Sequence, residues 1–118
     1  MLKMNDDLEG ALKDFIKLLK QEEYFDAHEV LEEAWHPLRI KKDPLANLLK
    51  GLINGAIAFE HIKRDREKSR DRASKVICSF LRYQDLYTTS TPYSVLFREA
   101  IVEIESLIER YNITPLCR

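Results

Sequence analysis

The chain has 118 residues, 45% hydrophobic and 33% charged. That length suits one compact domain spanning 1–118, and the apolar fraction is too high for a disordered chain. With 19 basic and 20 acidic residues the formal net charge is −1, which argues against a nucleic-acid coat and excludes a polyanionic tail. The glycines, Gly10, Gly51 and Gly55, form no phosphate-cradling loop. Residues 1–7 lack the apolar core of a signal peptide. No apolar run approaches the roughly 18 residues of a membrane span, so no membrane partner is expected. Cys78 and Cys117 lie far apart with no C-x-x-C neighbour. They are expected to be free thiols in a reducing cytoplasm.

Helical periodicity dominates. Leu8, Leu12, Phe15, Ile16 and Leu19 form the stripe of a first helix, with Asp6 and Glu9 as its capping box. A second helix is expected from near Tyr24 to His36. Its stripe is Ala27, Val30, Leu31, Ala34 and Trp35, and Pro37 is expected to stop it. Asp43-Pro44 predicts the start of a third helix, reaching about Lys63. A fourth follows Asp65 and carries Ala73, Val76, Ile77, Phe80 and Leu81. Residues 87–94 read as a loop. Thr91-Pro92 repeats the cap-then-proline signal, and a fifth helix carries Leu96 to Tyr111, stopped by Asn112 and Pro115. The expected fold is an all-α, single compact antiparallel bundle of about five helices.

The third helix is apolar nearly all round and should be central. Gly51, Gly55 and Ala58 share one of its faces, which predicts close approach of another helix. Lys50, Asn54, Ile57 and His61 form a second stripe. On a central helix such a stripe must find partners or line a cleft. In the second helix His28 and Glu32 stand one turn apart beside Trp35, while Glu29 and Glu33 point outward. Three readings stay open. These groups form a packed polar network with Asn54 or His61. Alternatively, His28, Glu32 and His61 ligate a divalent metal such as zinc, iron, manganese or nickel, with Glu29 as a base in a metal-dependent hydrolase. In the third, His28, Glu29, Glu32, Trp35, Lys50, Asn54 and His61 line a cleft for a small molecule or a protein partner, with Trp35, Tyr24 and Phe25 as its apolar wall. Residues 63–75 are basic and 22–33 acidic, a pairing that suits self-association as a homodimer.

The segment Tyr24-Phe25-Asp26-Ala27-His28-Glu29-Val30-Leu31-Glu32-Glu33-Ala34-Trp35, followed by Lys50-Gly51-Leu52-Ile53-Asn54 and His61, resembles a small all-helical bacterial and archaeal family, domain of unknown function 309. Its pattern is an aromatic pair, an acid and Ala-His-Glu-x-x-Glu-x-x-Trp, then Lys/Gln-Gly-Leu-Ile-Gln and a downstream histidine. Asn54 stands where that family usually has Gln. The Gly-Asn turn usual after the histidine is replaced by Asp65-Arg66-Glu67-Lys68-Ser69. The resemblance implies a helical bundle and no particular activity. It points to His28, Glu29, Glu32, Trp35, Lys50, Asn54 and His61.

Overall fold

A computed structural model describes residues 7–117. The elements in chain order are α1 (Leu8–Lys20), α2 (Tyr24–Ile40), α3 (Leu45–Arg64), α4 (Ser69–Tyr83), a 3-10 turn (Gln84–Leu86) and α5 (Ser94–Arg110). No strand occurs among the described residues. The fold is all-α, as the periodicity predicts.

The predicted stripes are the buried ones. Leu12, Phe15, Ile16 and Leu19 of α1 enter the core, as do Ala27, Leu31 and Ala34 of α2 and Ala73, Ile77 and Phe80 of α4. Burying each large side chain contributes roughly 1.5–3 kcal/mol, so the aromatic set Phe15, Tyr24, Phe59, Phe80 and Phe97, all at most 1% exposed, is the heaviest part of the core. The central element is α3, which packs against α2, α4 and α5, while α1 bridges α2 and α5. A methyl group on Gly51 would stand 3.1 Å from Tyr83 Cβ and 3.4 Å from the Phe80 Cα and the Ser79 carbonyl oxygen. The glycine is there to let α4 approach. Gly55 faces a side chain instead, with Ile104 Cδ1 of α5 at 3.0 Å from the same hypothetical methyl.

Three helices end in the same way. After α1, the Glu23 amide bonds to the Leu18 carbonyl and the Glu22 amide to Leu19. After α2, Asp43 bonds to Leu38 and Lys42 to Arg39. After α5, Ile113 bonds to Ile108 and Asn112 to Glu109. These are Schellman closures, each with a left-handed residue: Glu22 at φ 61°, Lys42 at 58° and Asn112 at 54°.

Several expected details are corrected. Asp6 lies outside the described residues, and the cap of α1 is Asp7, whose Oδ1 accepts from the Gly10 amide at 2.9 Å. Pro37 does not stop α2. It lies inside the helix and is buried, so the one backbone bond it removes is offset by core packing and by the closure over Leu38 to Asp43. Asp43 does cap α3, accepting from the Leu45 amide at 2.9 Å. Thr91 does not cap α5, because its Oγ1 accepts from the Thr88 amide within the loop. Finally, Cys78 and Cys117 are not free. They form a disulfide with Cα atoms 5.5 Å apart. The segment after α5 folds back onto α4, an encounter that a separation of 39 residues does not announce. The free-thiol argument for a reducing compartment therefore falls away.

Candidate functional site

The site is built where α2 crosses α3. The i, i+4 spacing of α2 puts His28, Glu32 and Trp35 along one edge, and all three are half-buried. Facing them on α3 are Lys50, Ile53, Asn54 and Ile57. A hollow of about 120 Å³ lies between, lined by Glu32, Trp35, Lys50, Ile53, Asn54 and Ile57. Trp35 is held from outside by Arg39, whose guanidinium carbon lies 5.1 Å from the ring centroid. That stacking needs α2 to continue past Pro37. Asn54 is held from behind, donating from Nδ2 to Ser79 Oγ of α4 at 2.8 Å.

The two opposite charges at the hollow are not paired to other side chains among the described residues. The ion pairs among the described residues are Glu9–Lys13, Glu60–Arg64 and Asp71–Lys75. Glu32 and Lys50 belong to none of them and make no hydrogen bond among the described residues. A half-buried carboxylate and an exposed ammonium, both uncommitted, thus flank a wall of indole and isoleucine.

The remaining expected residues fall elsewhere. His28 packs edge-on against Phe25, ring centroids 5.0 Å apart, and its Nδ1 is buried without a hydrogen-bond partner. Glu29 is exposed and does not line the hollow. His61 faces Arg72 and Arg64. Burial and then those two cations hold its imidazolium below the usual range, partly countered by Glu60.

This arrangement corrects the expected metal set. Among the described residues no group of three or more His, Cys, Asp or Glu side chains is placed to hold a metal ion. His28, Glu32 and His61 do not converge, and the guanidinium groups beside His61 oppose an added cation. The packed-network reading is also altered, since the partner of Asn54 is Ser79 and not His28 or His61.

Residues 12–72 match the profile of the domain of unknown function DUF309, just over half of the chain. The chain belongs to the DUF309 family. No curated protein and no solved structure matches it. The DUF309 match runs from within α1 to the first turn of α4. It therefore contains both walls of the hollow but not Ser79, Cys78, α5 or Cys117. Among the described residues of this DUF309 chain, no helix is long and apolar enough to cross a membrane.

Sequence reasoning missed Ser79, Ile53 and a second polar cluster. Tyr24 Oη and Tyr111 Oη lie 2.7 Å apart, and Tyr111 Oη donates to Glu22 Oε1 at 3.3 Å. Burial, the Tyr111 hydrogen bond and the charge around it push the Tyr24 phenol well above its ordinary range. Tyr24 reads in the sequence as one more aromatic at a helix start, and nothing links it to a residue 87 positions away.

Proposed function

We propose that this DUF309 chain is a binding module whose α2–α3 hollow receives one small group of a partner, such as a protein side chain. The observation that supports this most directly is the pairing of an uncommitted Glu32 carboxylate and an uncommitted Lys50 ammonium across a Trp35-lined hollow of about 120 Å³. Pockets for whole small molecules enclose roughly 300–1,000 Å³, so the volume favours a side chain over a cofactor-sized ligand. The opposite charges favour a group that both donates and accepts. A carboxamide does this, offering N–H to Glu32 and C=O to Lys50 or Asn54 while its plane stacks on the indole. His28 and His61 lie at the margins of this reading as packing residues.

The test is a nitrogen-15 NMR titration with capped single amino acids, including capped Gln, Asn, Glu, Lys and Leu. Capped Gln or Asn should move the Trp35 indole N–H and the Asn54 side-chain amide, and the shifts should vanish in a folded Glu32→Gln variant. A panel in which no member moves those two resonances would overturn the reading.

A further inference from the structure

We infer that the Cys78–Cys117 bond is a thiol–disulfide exchange site, a latch that a dithiol reductant can open to release the segment after α5. Four features of the molecule carry this. The two sulfurs are unequal in access: Cys117 is exposed and Cys78, on α4, is half-buried. An open hollow of about 710 Å³ leads to them, lined by Asp71, Lys75, Arg82 and Leu116 with the two cysteines. Lys75, Cys78 and Arg82 fall at i, i+3 and i+7, on one face of α4. Beyond the sulfurs, the hydrogen bond that ties residues 114–117 to the other described residues is the Leu116 amide donating to the Ser74 carbonyl at 2.9 Å, and these residues are exposed.

Access and charge set the direction of the chemistry. A thiolate of the reductant attacks the exposed Cys117 Sγ. The Sγ–Sγ bond breaks, and its electron pair leaves on Cys78 Sγ, where Arg82, with Lys75 already paired to Asp71 at 3.2 Å, stabilises the departing thiolate before it takes up a proton. The second thiol of the reductant then attacks its own sulfur in the mixed disulfide. Cys117 departs as a thiolate and is protonated. The protein disulfide gains two electrons and two protons, and the dithiol becomes a cyclic or intramolecular disulfide.

The opening has a built-in limit. Arg70 Nη2 donates to the Tyr111 and Asn112 carbonyls at 2.7 and 2.9 Å. Ile113 is 6% exposed and its amide closes α5 on Ile108. Tyr111 to Ile113 are therefore held by contacts independent of sulfur, and among the described residues 114–117 are the ones that swing free. Release uncovers the α4 face around Ser74 and Cys78.

The test compares oxidised and dithiothreitol-reduced protein. Non-reducing peptide mapping should recover the 78–117 crosslink, and dithiothreitol should remove it with the helical circular dichroism unchanged. Amide exchange at Leu116 should then rise at least roughly tenfold while Ile113 keeps its protection. Cys117→Ser should reproduce the reduced pattern without reductant. Arg82→Gln should slow the opening by roughly two- to threefold, because the leaving thiol becomes a poorer one. The inference is overturned if the crosslink is missing from native protein, if the folded protein resists dithiothreitol, if reduction unfolds the bundle, or if Leu116 exchanges equally in both states.

Discussion

His61 shows how a side chain can be placed by the sequence and defined by its neighbours. It ends the polar stripe of α3, half-buried, with Arg72 and Arg64 as its charged surroundings. Desolvation and like charge both disfavour the imidazolium. Its NMR titration midpoint is therefore expected below the usual histidine value of about 6.5. The sign for stability follows. Because the unfolded chain binds this proton more readily, stability is full above pH 6.5 or so and declines as pH falls from there to the folded-state midpoint. His61→Gln should flatten that part of the stability profile, and a midpoint at or above 6.5 would refute the argument. At this scale the sequence is informative about identity and silent about partners. Asn54 is conspicuous as a polar residue on an apolar helix. Its partner Ser79 is not, because a serine on an amphipathic helix signals nothing until α3 and α4 are docked.

Helix starts and helix ends differ in how well they can be read. Asp7 and Asp43 accept amide hydrogen bonds at the heads of α1 and α3, a chemistry that acidic side chains advertise. Closure depends on backbone conformation, and here the left-handed positions after α1, α2 and α5 carry Glu22, Lys42 and Asn112 instead of glycine. Of these, Asn112 alone is a residue type that marks a stop. The same fact yields a prediction. A left-handed conformation costs a non-glycine residue roughly 1–2 kcal/mol, partly offset by the greater unfolded freedom of glycine. Lys42→Gly should raise stability by about 0.5–1 kcal/mol in denaturant titrations, and a loss of stability would contradict this account. Pro37 teaches the converse. Its local preference is for a break, yet α2 runs on to Ile40 because the ring is buried and the following turn is closed.

Across the molecule, α3 is the element around which the rest assemble, and its glycine face could be read in advance because two helical glycines need a reason. What Gly51 meets is Tyr83 Cβ at 3.1 Å and, at 3.4 Å, backbone atoms of α4, none of them the free end of a flexible side chain. Gly51→Leu should therefore destabilise the fold by about 1–3 kcal/mol. Gly55→Leu should cost less, since the Ile104 side chain facing it can change rotamer. Equal losses at the two positions in thermal unfolding would sink this distinction. The long-range closures were not legible. The Tyr24–Tyr111 pair and the Cys78–Cys117 bond join positions 87 and 39 residues apart, and periodicity carries no information about which helix ends meet.

That crosslink also changes the shape of the chain when everything else is lost. With the bond intact, the chain has the topology of a lasso. Pulled apart at Leu8 and Cys117, it would extend along its first part and then cross from Cys78 to Cys117 through sulfur. The stretch between the two cysteines, residues 79–116 and all of α5 among them, would bear no load, and the stretched length would fall short by roughly 120–135 Å. Reduction returns that hidden length, so the same bond that fastens a short surface segment also decides how much of the polypeptide force can reach.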